Sequence, residues 1–218
     1  MNIIELELHS TNIAETEKFY RKVLGLIGEL HAKDEIYFYV GSTKLIFREE
    51  KKADIKPVYH FAIDVPNNRF EEAYNKIKAQ VQLLPVSHGT DVADFKNWDA
   101  KSFYFLDNNQ NIVEIITRYS NREFSDEPFS GRSYISVSEI GIVTGNVPEL
   151  ADRIKTQFDV PVFHRQPRGD KFTVCGDDEG LFILAEKGRD WYPTNIKSHS
   201  FYTRVLFYHN GVIDHIVR

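Results

Sequence analysis

The chain is poor in cysteine, methionine and tryptophan, with one, one and two of these in 218 residues. A single cysteine, Cys175, excludes an internal disulfide and fits a reducing, cytoplasmic setting. No apolar run approaches the length of a spanning helix. The start, MNIIELELHS, has neither the basic opening nor the apolar stretch of a secretory signal. Lys and Arg form no stripe, and the net charge is −5 with both signs mixed throughout. That balance argues against nucleic-acid and anionic-membrane partners. There is no Gly-rich phosphate loop, no G-x-S-x-G and no C-x-x-C, so nucleotide binding and serine or thiol hydrolysis lack support. What the chain does have is 42% apolar residues, with 16 Phe and 11 Tyr. Such a composition supplies a packed core, either β-rich or wrapped around an aromatic-lined pocket.

A pattern recurs along the chain. Residues 3–9, IIELELH, alternate as a strand. Residues 12–25, NIAETEKFYRKVLG, follow a helical face ended by Gly25, and residues 35–50 form a hairpin turning at Gly41-Ser42. The order returns with a strand at 58–66, a helix at 69–81 and a hairpin at 101–118, whose turn is DNNQN. Between that helix and hairpin, LLPVSHGTDVADFKNWD is longer and less regular than its counterpart. A third copy begins near Ser136: SEIGIVTGNV as a strand, PELADRIKTQFDV as a helix opened by Pro148, and a hairpin at 171–187. The tail RVLFYHNGVIDHI adds an edge strand or hairpin around Asn210-Gly211.

The expected fold class is α+β, built from repeated βαβββ modules. Two modules side by side make a curved eight-stranded sheet around a cavity, and a third accompanies them. The expected division is a paired-module domain over 1–120 (modules 1–54 and 55–120), a polar linker at 121–134, and a third module with its tail over 135–218. A third unit without a partner of its own either packs on the first two or meets its equivalent in a second copy, and a homodimer is expected.

Three side chains ask for a reason. Glu114 lies among Ile112, Val113, Ile115 and Ile116, and an ionised carboxylate is costly to bury unless it is paired or bound to metal. It points either into a cavity between units or to solvent on a one-sided sheet. His60 shares a strand face with Ala62 and Asp64, either as a hydrogen-bonded core residue or as a ligand. Glu5 shares a face with Glu7 and His9, and such a stripe is either the solvent side of a strand or a polar cavity wall.

The segments IELELHSTNIAETEKFYRKVLGL (4–26), YHFAIDVPN (59–67) and SFYFLDNNQNIVEII (102–116) resemble the vicinal oxygen chelate superfamily. That superfamily includes glyoxalase I, bleomycin-resistance proteins, fosfomycin-resistance enzymes and extradiol ring-cleaving dioxygenases. The family shows a strand with His near its start, an S-x-x-F-Y-type helix and a closing D-P-x-G-N-x-x-E strand. The resemblance covers residues 3–118, and the third unit is similar to an extra module of some ring-cleaving members.

The resemblance implies metal ligands on the first and last strands of paired units. Aligning the units superposes Glu5, His60 and Glu139 on the first strands, and Ile46, Glu114 and Ile183 on the last. Pairing units one and two then gives a metal site of Glu5, His60 and Glu114. Ile46 leaves the fourth position blank, as in the dioxygenases. Glu139 repeats the ligand position beside an apolar Ile183, so a second complete site is not expected. One nitrogen and two carboxylates suit a divalent Fe, Mn, Ni or Zn ion, and open positions would take neighbouring oxygens of a small-molecule substrate. His9 and Tyr104 are candidate pocket residues, and no catalytic acid or base is assigned. The family's ring-cleaving acid–base His is missing from the window Phe95-Lys96-Asn97, with only His88 nearby in sequence.

Two functions follow. One is a metal-dependent enzyme, a dioxygenase, lyase or isomerase, acting on a small oxygenated molecule through bidentate oxygen chelation. The other is a metal-free protein that binds a drug or aromatic ligand against Phe and Tyr side chains.

Overall fold

The computed structural model describes residues 1–51 and 54–218. The first module runs β1 (Asn2–Ser10), α1 (Ile13–Phe19), β2 (Gly28–Ala32), β3 (Glu35–Val40) and β4 (Thr43–Glu49). The second runs β5 (His60–Asp64), α2 (Phe70–Lys78), β6 (Val92–Phe95), β7 (Ala100–Leu106) and β8 (Ile112–Arg118). The third is β9 (Val137–Thr144), α3 (Val147–Phe158), β10 (Phe172–Asp177) and β11 (Gly180–Glu186), and the tail forms the hairpin β12 (Thr203–His209) and β13 (Val212–Val217).

Local sequence explains the boundaries. Asn12 and Asn146 cap α1 and α3, each accepting a hydrogen bond from the backbone N–H three residues on. A π turn over Tyr20–Leu24 extends α1, and Gly25 stops it at φ 69°. Asn210 and Gly211, both at positive φ, turn the tail hairpin. The DNNQN turn is held by its own side chains. Asp107 accepts from the backbone N–H groups of Asn109 and Asn111, from the Asn111 amide and from the Tyr20 hydroxyl, at 2.8–2.9 Å. Asn111 in turn accepts from the Tyr59 N–H at 2.8 Å, which ties the start of β8 to the start of β5.

The strands form two sheets. One has six strands in the order β13-β12-β1-β4-β3-β2, and the other seven in the order β10-β11-β9-β5-β8-β7-β6. The α+β class, the repeated modules and a curved sheet joining two of them match the sequence reading, but that sheet has seven strands rather than eight, because the third module supplies three strands and not four. The partners differ from it. The second sheet joins module two to module three through the antiparallel pair β5–β9, and module one pairs through β1 with β12 of the tail. Sequential units had been expected to pair, but the tail hairpin supplies module one with an antiparallel edge partner. Module three is thereby free to meet module two. Its partner lies within the chain, which removes the reason given above for expecting a second copy. Residues 119–134 carry no strand, and β8 extends to Arg118.

The largest apolar cluster among the described residues draws Leu6, Phe47, Phe61, Phe105, Val137 and Phe182 from both sheets, together with Ile13, Ile77 and Ile154 from the three helices. Fully burying side chains of this size contributes roughly 1.5–3 kcal/mol each. Phe61 and Ile63 of β5 and Val113 and Ile115 of β8 face this core, so period-two alternation turns His60, Ala62, Glu114 and Ile116 to the opposite face. No helix among the described residues is long and apolar enough to cross a membrane.

Candidate metal centre

His60, Glu114 and Glu139 converge on the curved face of the seven-stranded sheet, and one ligand atom of each lies within 4.8 Å of the others. All three are buried. The strand register does this. Ala62 sits between Glu114 in the parallel pair β5–β8 and Glu139 in the antiparallel pair β5–β9. A β-bulge in β9 sets Ser138 apart from the ladder just before Glu139, so both residues reach the same group, Arg118.

The surrounding bonds leave one lone pair free on each donor. His60 Nδ1–H donates to the Ile112 carbonyl at 3.2 Å, which leaves Nε2 as the bare nitrogen. The Tyr104 hydroxyl donates to Glu114 Oε1 at 2.8 Å, and Glu114 Oε2 lies 3.6 Å from His60 Nε2. Arg118 donates to Glu139 Oε1 and, with its other nitrogen, to Asp64 Oδ1 and the Ser138 hydroxyl. Each carboxylate therefore has one anchored and one free oxygen.

Burial dominates the electrostatics. It pushes the carboxyls of Glu114 and Glu139 well above the ordinary carboxylate range, and for Glu139 the neighbouring Glu114 adds to the rise. Burial also lowers His60, against the pull of the neighbouring Glu139, which disfavours the charged imidazolium beside Glu114. For Arg118 burial opposes the charge, but Asp64 and Glu139 outweigh it and keep the guanidinium protonated. Fully ionised, Asp64, Glu114 and Glu139 against Arg118 leave two buried negative charges. A divalent cation would neutralise them. One imidazole nitrogen and two carboxylate oxygens, each steadied by a second bond, fit Fe(II), Mn(II), Ni(II) or Zn(II).

A cavity of about 190 Å³ opens above these residues. Its walls are aromatic, with Phe95, Trp98, Tyr104, Phe172, Trp191 and Tyr192, and Ile183 fills the fourth first-or-last-strand position. Gly141 makes room for Trp191, because a Cβ there would stand 2.6 Å from the indole ring.

Of the residues singled out from sequence, His60, Glu114 and Tyr104 meet here, and Glu114 is not on a solvent face. Glu5 does not join them. It lies on β1 in the six-stranded sheet, 3.1 Å from Arg204 Nη1. His9 is on the same strand, stacked on Tyr202 at 4.7 Å between ring centroids, and neither it nor His88 lines the cavity. Glu139 takes the place proposed for Glu5, because the strand facing β5 is β9. Arg118 was hidden at the border of a polar linker, and Gln166, Arg189 and Trp191 carry no periodic signal. Burial raises the Cys175 thiol to about 12, which suits an inert core residue.

No protein-family model matches the chain. The metallothiol transferase FosB of Staphylococcus haemolyticus is 32% identical over 111 residues, covering 49% of this chain and 76% of that protein. Its counterpart from Staphylococcus epidermidis is 31% identical over the same shares. The chain belongs to the vicinal oxygen chelate superfamily. Among solved structures, a putative dioxygenase from Bacillus subtilis aligns with all of this chain and 84% of that one, at a TM-score of 0.63 and 14% identity. At that identity the likeness is one of fold: a vicinal oxygen chelate chain with tail and third module included has a structural counterpart along its whole length.

Proposed function

We propose that this vicinal oxygen chelate protein is a metal-dependent enzyme. His60, Glu114 and Glu139 would hold a divalent ion, and the substrate is a small oxygenated molecule bound through two neighbouring oxygens. The observation that carries the reading is the buried triad itself, with its converging donor atoms and two carboxyls whose ionised forms burial disfavours unless a cation meets them. A metal-free aromatic-binding protein has no use for such a cluster, which is costly to keep in an apolar pocket. When bound, the ion would polarise substrate oxygens and stabilise negative charge that develops on them.

The chain's own residues prepare the rest. Arg118 and Tyr104 fix the two carboxylates, and the Ile112 carbonyl fixes the imidazole tautomer. The aromatic walls exclude water and clamp a flat substrate. A dry cavity of about 150 Å³ accepts benzene, so about 190 Å³ suits one ring with small substituents. Among the described residues no imidazole other than His60 lines the cavity, so ring cleavage through a second His has no support here. The name of the Staphylococcus relatives, metallothiol transferase, adds thiol transfer to the reactions worth assaying.

The test is metal content by mass spectrometry on untagged protein purified without chelator, and again after incubation with Fe(II), Mn(II), Ni(II) and Zn(II). About one ion per chain, lost in Glu114→Gln and Glu139→Gln, supports the reading. No bound ion under any of these conditions would return the protein to the ligand-binding class.

A further inference from the structure

The polar groups of the cavity fall into two sets. At its floor are the two carboxylates and the imidazole of the triad. The other polar lining residues present hydrogen-bond donors. Arg189 lies along the wall with its guanidinium carbon 4.6 Å from the centre of the Phe172 ring, and among the described residues no carboxylate pairs with it. Its hydrogen bond, from Nη1 to the Asp190 carbonyl, is long at 3.4 Å. Asp190 itself is paired with Lys197 at 2.7 Å. Gln166 accepts from Trp98 Nε1 at 3.3 Å through its carbonyl oxygen, which fixes the amide and leaves its NH₂ group to donate. Trp191 is buried on the wall, and among the described residues its Nε1–H has no acceptor. A buried donor without a partner calls for a ligand or water that supplies one.

A ligand that satisfies both sets is acceptor-rich at each end. Two adjacent oxygens would meet the floor, a single ring would lie between Phe95, Trp98 and Trp191, and a negative group would meet Arg189. We propose that the substrate is a monocyclic acid, with its chelating oxygens on one side of the ring and a carboxylate bound by Arg189 and Gln166 on the other. This rests on the reading of His60, Glu114 and Glu139 as a metal centre. Arg189 serves here as a specificity residue, with its stem packed on Phe172 and its planar fork matched to a carboxylate.

The experiment compares two probes by calorimetry on Mn(II)-loaded protein: a catechol bearing a carboxymethyl group, and a neutral catechol bearing an ethyl group of similar size. The acid is expected to bind at least roughly tenfold more tightly, as for a charge-assisted pair. Arg189→Met keeps an apolar stem on Phe172. It should bring the acid down to the affinity of the neutral probe and leave the neutral probe within about twofold of its wild-type value. Gln166→Leu should weaken the acid by a smaller factor. Equal affinities in the wild type, a preference that survives Arg189→Met, or no binding of the acid would each overturn the proposal. A parallel titration of chelator-treated protein separates the two readings. If the acid keeps both its affinity and its dependence on Arg189 without metal, the metal centre is refuted while the carboxylate subsite stands.

Discussion

Arg204 Nη1 lies 3.1 Å from Glu5 Oε2, and these two residues occupy in the six-stranded sheet the positions that His60 and Glu139 hold in the other. The registers give the correspondence. Glu7 faces Arg204 across β1–β12 and Ile46 across β1–β4, just as Ala62 faces Glu139 and Glu114 in the second sheet. A guanidinium thus stands where a ligand would be, and an isoleucine where the closing carboxylate would be. The six-stranded sheet keeps the geometry of a site without its chemistry.

This relationship separates Glu5 from the proposed metal site. Glu5→Gln and Arg204→Met should leave metal content unchanged at about one ion per chain, whereas Glu139→Gln should abolish it. Arg204 and Glu5 are partly exposed, at 31% and 25% of their side chains, so solvent screens the pair. Breaking it should cost about 1 kcal/mol or less in urea unfolding. Loss of metal in Glu5→Gln would overturn the assignment.

Most of the site was legible before any coordinates, and one step was not. Strand alternation put Glu114 and His60 on single faces, and superposing the modules placed Glu139 at a ligand position. What local sequence does not encode is which module pairs with which. β5–β9 and β1–β12 are contacts between distant segments, and periodicity is the same whichever partner a strand meets. The tail hairpin decides the matter by completing module one. Arg118 was hidden for a different reason. Its neighbours Tyr119, Ser120 and Asn121 are polar, and nothing in TRYSN announces that its arginine turns inward.

Metal should stabilise the fold by mass action. At a free ion concentration of about a thousand times Kd, a single native-state site adds roughly 4 kcal/mol, which raises Tm by roughly 10 °C in a chain of this size. Differential scanning fluorimetry with and without Mn(II) or Zn(II) checks this. Glu114→Gln should show no ion-dependent shift, and an equal shift in that variant would place the ion elsewhere.

The Asp107 carboxyl gives the fold a pH dependence of its own, away from the metal centre. Burial raises it to about 6, outweighing the donors from Tyr20, Asn109 and Asn111 that favour its charge. A carboxyl with a raised native pKa binds its proton more tightly when folded than when unfolded. Its contribution is therefore fully present below the unfolded pKa, and is lost as pH rises through about 6. The stability difference between wild type and Asp107→Asn should shift against the wild type by about 2 kcal/mol from about pH 4 to about pH 7. Urea unfolding at intervals across that window measures it, and a difference that stays flat would sink the prediction.

Arg118 joins the two modules and the proposed metal site in one group. It reaches Asp64 on β5 with one nitrogen and Glu139 on β9 with another, and the Ser138 hydroxyl bonds both Arg118 and Asp64. All three charged groups are buried, so Arg118→Met leaves two carboxylates without a counter-ion and should cost about 3–5 kcal/mol. Asp64→Asn added to that variant removes one of the stranded charges and should recover part of the loss. Arg118→Lys asks a finer question. An ammonium keeps the charge but lacks the fork that spans Asp64 and Glu139, so it can balance the cluster without holding Glu139 Oε1 in place. Metal affinity should then fall by roughly ten- to a hundredfold, as when a group orienting a ligand is removed, while unfolding free energy falls less than in Arg118→Met. If Arg118→Lys binds metal as tightly as the wild type, the guanidinium serves charge balance alone and the free oxygen of Glu139 needs no anchor.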